Sequence, residues 1–213
     1  MTILLKTIGL LLLTVVSVNL WWRWASRRRS LPCPTWLASS LESAVMDRLM
    51  GTKATLDRIG LQPGQRVLEV GPGPGRLLIP AAKRVSPGGE VVGLDIQPGM
   101  VKRLKARAAQ AGVANLTAVE GDATQPHFPP EHFDVIWMCT VLGEIPDREA
   151  ALRQCYTALK TGGRLSITEI FPDPHYQSLS TVQRLAAMVG FQLQAVHGPW
   201  FFLTANFDKP ALP

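Results

Sequence analysis

Acidic side chains are missing from the first 29 residues, which carry Lys6, Arg23, Arg27, Arg28 and Arg29. The chain of 213 residues has 22 Lys and Arg against 16 Asp and Glu, so the part from Ser30 onward keeps 17 bases and 16 acids. The net charge of +6 thus belongs to the start of the chain, which argues against a basic nucleic-acid-binding face on the remainder. Cysteine is scarce. Cys33, Cys139 and Cys155 are odd in number and widely spaced, with no CxxC pair. That speaks against a zinc site and a disulfide framework and implies reduced thiols in a cytosolic setting, with no metal expected. Internal repeats and low-complexity tracts are absent as well, which removes the solenoid classes. The length suits one domain of ordinary size plus an appendage.

What is present begins with an apolar run from Thr7 to Trp22, preceded by MTILLK and closed by Trp21, Trp22 and Trp24, with Lys6 as its only charge. A helix of about 17 to 20 residues rises roughly 25 to 30 Å, close to a bilayer core. The expectation is an N-terminal transmembrane helix meeting the lipid bilayer through residues 3–24. A removable secretory signal would put basic residues before the apolar stretch; here they follow it, and no small-x-small site precedes them. Arg23 and Arg27 to Arg29 then hold the rest of the chain on the cytoplasmic side of a single-pass arrangement. A helix lying in the interface and a removed signal are the alternatives.

SLPCPT, residues 30–35, has two prolines in six residues and reads as a stiff linker. Leu37, Leu41, Val45, Leu49, Leu56 and Ile59 recur at helical spacing, with Gly51 and Gly60 as stops; two short helices follow from that. The expected division is an anchor with its basic flank over 1–29, linker and cap helices over 30–60, and the main domain over 61–213.

From there strand-like and helix-like segments alternate. RVLEV (66–70), EVVGLD (90–95), LTAVEG (116–121), FDVIWMCT (133–140) and RLSITEI (164–170) are separated by helical patterns near 76–85, 98–111 and 147–159, with another near 178–189. Continuous apolar strands in such alternation mean an α/β fold, a doubly wound and mostly parallel sheet covered on both faces. FQLQAVHGPW and FFLTANF are joined by a tight turn at Gly198 and Pro199. They add a C-terminal antiparallel hairpin, for seven strands in all.

The strongest local signal is VLEVGPGPGRLL, residues 67–78, a buried strand running into three alternating glycines and a helix. Gly71, Gly73 and Gly75 allow a tight turn and close approach of a ligand at a positively polarised helix start, as in nucleotide-binding loops. The dinucleotide pattern GxGxxG fails in both registers, because its third glycine falls on Arg76 or on Leu78. A Walker loop fails too, since no GKS or GKT follows.

An acid followed by GxGxG, here Glu69 before the three glycines, resembles motif I of the class I, seven-stranded S-adenosylmethionine-dependent methyltransferases. The resemblance covers residues 61–207. It implies that S-adenosylmethionine is the cofactor and that Asp95, in VVGLDI, holds the ribose hydroxyls beside Ile96. It also implies that Asp122, with Ala123 in VEGDAT, meets the adenine amino group. FDVIWMCTVLGEIPD resembles the family's fourth strand with its loop, and LKTGGRLSITE the turn into the fifth.

The acceptor side departs from the pattern. Family members acting on quinones or sterols carry paired histidines after strand four, where this chain reads Val141, Leu142, Gly143, Glu144 and Ile145. Glu144 is either a loop residue or a base. In EIFPDPHYQS, Glu169, His175 and Tyr176 follow a strand's carboxyl end, the edge at which open α/β sheets bind ligands. His175 either takes a proton from the acceptor or caps the next helix. His127 is placed on the surface, and Cys139 as a small group on the pocket wall. The expected activity is methyl transfer to a small molecule or lipid acceptor. The competing readings are a soluble metabolite or protein side chain as acceptor, and a cofactor-binding but non-catalytic assembly factor at the membrane.

Overall fold

The computed structural model describes residues 2–26, 51–171 and 173–211. Helix α1 spans Thr2–Ser26 and α2 spans Thr52–Ile59. There follow β1 (Arg66–Val70), α3 (Leu78–Val85), β2 (Glu90–Asp95), α4 (Pro98–Gln110) and β3 (Leu116–Glu120). The second half adds β4 (Phe133–Cys139), a 3-10 turn (Leu142–Glu144), α5 (Arg148–Ala158), β5 (Leu159–Ile170), α6 (Leu179–Val189), β6 (Gln192–His197) and β7 (Phe202–Asp208).

The strands form one sheet in the order β3-β2-β1-β4-β5-β7-β6. β1 to β5 pair in parallel, and β7 runs antiparallel to both β5 and β6. The doubly wound sheet with a terminal hairpin is therefore as the sequence implies. β4 shows why its sequence is a continuous apolar run: Val135 and Trp137 pack toward α2, α3 and α4, while Ile136 and Met138 pack toward α5 and α6. Both faces are covered, so period-2 alternation has no solvent side to report. Each fully buried Leu, Ile or Phe in these layers contributes about 1.5–3 kcal/mol, far above local propensity differences.

Local chemistry sets the helix starts that matter near the site. Pro98 opens α4, where its missing N–H costs nothing. Asp147 accepts the N–H of Ala150 at 2.9 Å to start α5, and Ser178 Oγ accepts that of Thr181 at 3.3 Å to start α6. At the hairpin, the Phe202 N–H donates to Pro199 O at 3.0 Å.

Two expectations change. β5 starts at Leu159 rather than Arg164, because Leu159 pairs with Phe133 ahead of a register shift. A segment read as a turn is thus strand. Among the described residues no helix is long and apolar enough to cross a membrane. The transmembrane assignment of residues 3–24 is accordingly not carried by the structure, which provides the helix without the span; Lys6, Thr7, Thr14, Ser17 and Asn19 interrupt its apolar run. The linker at 30–35, the basic cluster from Arg27 to Arg29, Cys33 and the first of the two helices expected over 36–60 lie outside the described residues.

Candidate active site

The parallel strands end along one edge, where Gly71 follows β1, Asp95 closes β2, Asp122 follows β3 and Thr140 follows β4. The winding reverses between β1 and β4, and a crevice opens at such a switch point. It holds a cavity of about 350 Å³.

The glycine loop divides its labour. The Gly71 N–H donates to Leu94 O at 2.8 Å and the Gly75 N–H to Pro72 O at 2.9 Å. Gly73 has φ +52°, and nothing lies within 4 Å of where its Cβ would stand; the residue lines the cavity. Gly75, at φ +86°, is glycine for another reason: a Cβ would sit 2.4 Å from Leu104 Cδ1 of α4. Arg107, also on α4, fastens the loop by donating to Pro74 O at 2.7 Å. Of the cofactor residues expected from the sequence, Glu69, Gly71, Gly73, Asp95, Ile96, Asp122 and Ala123 line the cavity, and Gly75 does not.

Asp95 is 6% exposed. Its Oδ2 accepts the Gly73 N–H at 3.0 Å and its Oδ1 the Gln97 N–H at 2.9 Å. Burial raises its pKa, and those two N–H groups pull it back. Asp122 Oδ1 accepts the Thr124 N–H at 2.9 Å, which shapes the loop after β3. Glu69 shares the Trp137 face of the sheet, across from Trp137 in register. Burial pushes its carboxyl up to about 8, against the pull of the Trp137 indole and the Arg76 guanidinium. Its Oε2 is buried with no hydrogen-bond partner among the described residues.

Several residues of the cavity wall were not singled out from the sequence. Arg76 bridges α2 and β4, donating to Thr52 Oγ1 at 2.9 Å and to Cys139 Sγ at 3.5 Å. Thr140 sits at φ +57°, an outlying conformation for a β-branched residue of the kind that collects at functional sites. Met100 and Ile145 complete the apolar part of the wall. No single-residue sequence signal marks Thr140. Arg76 was visible only as the side chain that spoils the dinucleotide pattern. Cys139 lines the wall as expected; burial pushes its thiol up to about 12, which makes it a neutral wall group and no nucleophile.

On the acceptor side Glu144 lines the cavity. His175 does not: its side chain is 5% exposed and stands behind Glu144, with Nδ1 3.9 Å from Glu144 Oε1 and 3.6 Å from Asp173 Oδ1. The reason is packing, since the His175 backbone abuts Gly143; a Cβ there would fall 1.9 Å from His175 O. Glu169 is buried, its carboxyl pushed up to about 8 by burial, and its Oε2 accepts the Gln177 N–H at 3.0 Å. Tyr176 turns away and donates to Trp200 O at 2.8 Å. His127 is exposed, with Nε2 2.9 Å from Asp122 O. Among the described residues no group of three or more His, Cys, Asp or Glu is arranged to hold a metal ion.

Fold and site together define a nucleoside-binding α/β domain of the methyltransferase kind. The sequence model of the methyltransferase domain family matches residues 67–163. The chain is 39% identical over 119 residues to the nocamycin O-methyltransferase of Saccharothrix syringae, covering 56% of this chain and 42% of that protein. It is 40% identical over 116 residues to the ubiquinone/menaquinone biosynthesis C-methyltransferase UbiE of Ectopseudomonas mendocina, covering 54% of this chain and 45% of the other. The matched segments thus span about half the length of these relatives or less. A crystal structure of a SAM-dependent methyltransferase from Aquifex aeolicus superposes with a TM-score of 0.77 at 20% identity, over 83% of this chain and 99% of that one. Residues 67–163 thus belong to the methyltransferase domain family, and the chain is similar to class I S-adenosylmethionine-dependent methyltransferases.

The residues present fit that family's cofactor, S-adenosylmethionine. Each Asp95 oxygen has spent one lone pair on a backbone N–H and retains capacity for a ribose hydroxyl. Ile96 is 58% exposed within the cavity lining, an apolar surface suited to a purine face. The orphaned Oε2 of Glu69 suits an ammonium group.

Proposed function

We propose that this chain transfers a methyl group from S-adenosylmethionine to a small acceptor that is lipid-like or membrane-associated. The carrying observation is that one cavity holds both the cofactor residues, Gly73 and Asp95 foremost, and Glu144. Bound there, the cofactor supplies a methyl group on a sulfonium, open to in-line displacement. Such a reaction needs alignment and exclusion of water more than covalent help.

The protein's own part is then limited. The glycine loop and Asp95 bind and orient; Met100, Ile145 and Val141 keep the wall apolar. Glu144 takes the proton that the acceptor's nucleophile loses. His175 stands behind Glu144 and positions its carboxylate, and Asp173 meets the same His175 nitrogen.

Membrane association is assigned to α1, whose described side chains include exposed Leu10, Leu11, Leu13, Val16, Trp21 and Trp24. Arg23 and Arg27 to Arg29 favour a cytoplasmic domain at an interfacial helix. The likeness to a ubiquinone/menaquinone biosynthesis enzyme supports a lipid-like acceptor, and the likeness to a nocamycin O-methyltransferase supports a second reading with a soluble acceptor.

The test is calorimetric titration of the full chain with S-adenosylmethionine and separately with NADH. Incubation with methyl-labelled donor and either a lipid extract or an aqueous metabolite extract then identifies the acceptor. Heat with the sulfonium alone and label in the lipid fraction is expected. Label in the aqueous fraction selects the second reading. Binding without transfer to either fraction supports the non-catalytic assembly factor.

A further inference from the structure

The carboxyl end of β5 carries aromatic side chains that neither the core nor the cavity uses. Phe171, Trp200 and Phe201 are 44%, 63% and 50% exposed. Their rings meet edge to face, Phe171 with Trp200 at 4.9 Å and Trp200 with Phe201 at 5.7 Å; Tyr176 joins Phe171 at 5.7 Å. Backbone bonds hold the cluster in place. The Phe171 N–H donates to Phe201 O at 2.8 Å, and the Tyr176 O–H to Trp200 O at 2.8 Å. A contiguous exposed aromatic patch marks a contact surface, and Trp and Tyr beside Phe are the side chains of a bilayer interface.

Three observations select a lipid surface as the occupant. The first is position: β5 runs parallel to β4, so the patch lies at the same sheet edge as the cavity. Residues 173 and 174 lead from it to His175, behind the cavity residue Glu144. The second is charge. From Phe171 to Phe207 the single acid is Asp173, its side chain 22% exposed, against Arg184. The Arg58 guanidinium lies 4.5 Å over the ring of Phe202, next in sequence to the patch. Such a surface suits anionic headgroups. The third is the route of the chain. Gly51, where the described domain begins, is so close to Phe202 that a Cβ on it would lie 3.0 Å from the ring. The described domain therefore begins beside Phe202, which adjoins this patch in sequence.

We infer that Phe171, Tyr176, Trp200 and Phe201 form a docking face for an anionic lipid bilayer, which seats the mouth of the cavity against the membrane. A lipid-like acceptor then reaches Glu144 without leaving the bilayer surface. The inference rests on the membrane association proposed for α1: the helix supplies the tether and the patch supplies the orientation.

Hydrogen–deuterium exchange of the full chain tests it, with no vesicles, with phosphatidylcholine vesicles, and with vesicles that also contain phosphatidylglycerol. Slower exchange over 171–177 and 198–203 on the mixed vesicles, lost in Trp200→Ser/Phe201→Ser with an unchanged melting temperature, is expected. Protection of 2–26 with no change at the patch overturns the inference and leaves the α1 reading intact. Protection of the patch alone upholds the docking face and removes the α1 reading. Protection of neither overturns both. A patch already protected without vesicles is covered by another part of this chain or by a second copy, which also overturns it. Brominated lipid gives an independent reading that survives a folding defect in the double variant. Quenching that is smaller in Trp200→Phe than in the wild type, the remainder coming from Trp21, Trp22 and Trp24 of α1, places this indole in the bilayer, and equal quenching overturns the inference.

Discussion

Asp95 and Gly73 are joined by a hydrogen bond of 3.0 Å, in which the carboxylate at the end of β2 accepts the backbone N–H from the middle of the glycine loop. The acid therefore shapes the loop before any ligand arrives. Its other oxygen holds Gln97, one residue before α4, so one side chain ties two ligand-facing turns together.

Asp95→Ala is expected to weaken S-adenosylmethionine binding by about 1–3 kcal/mol through unpaired ribose hydroxyls and a released loop. Calorimetry on the full chain measures it. An unchanged dissociation constant would place the ribose elsewhere.

Gly73→Val and Gly75→Ala are expected to fail in different ways. Valine at Gly73 fills the open space against the loop and abolishes cofactor binding, at a stability cost of about 1–2 kcal/mol for a side chain at positive φ. Alanine at Gly75 drives its Cβ into Leu104 and lowers the melting temperature more. Equal melting temperatures for the two variants would refute this division of roles.

Glu69 is expected to make stability depend on pH. Its carboxyl is raised from an ordinary 4.5 to about 8 when folded, so the folded state binds the proton more tightly. That contribution is complete below the unfolded value and is lost as pH climbs through the folded one. Without ligand, the wild type should therefore lose melting temperature relative to Glu69→Gln between about pH 5 and pH 8.5. Parallel curves over that range would mean that the folded chain holds Glu69 ionised.

Glu144→Gln is expected to lower kcat by about 10²- to 10⁴-fold with little change in cofactor affinity. Gly143→Ala should do the same indirectly, because its Cβ would collide with the His175 carbonyl and displace the groups behind Glu144. Single-turnover methyl transfer with the identified acceptor reads both. Full activity in Glu144→Gln would remove it as the base.

Much of the sheet was legible because its signal is local. RVLEV and EVVGLD coincide with β1 and β2 to the residue, since a buried parallel strand must be apolar and must end at a turn. The glycine loop and Asp95 were legible for the same reason: a backbone that a ligand approaches and an acid at a strand end leave their mark in a short stretch. The start of β5 at Leu159 was not, because it depends on pairing with Phe133 across the sheet.

By itself the sequence determined the α/β class, the order of the strands along the chain, and the glycine loop and strand-end acid that line the cavity. Each of these follows from residues within a few positions of one another. Only the tertiary structure decided that Gly75 serves helix packing, that Arg76 and Thr140 line the cavity, and that His175 stands behind Glu144 rather than beside the acceptor. These placements are set by contacts between distant segments, Leu104 with Gly75, Thr52 with Arg76 and Gly143 with His175, and close packing of a two-sided core leaves each side chain one place to go.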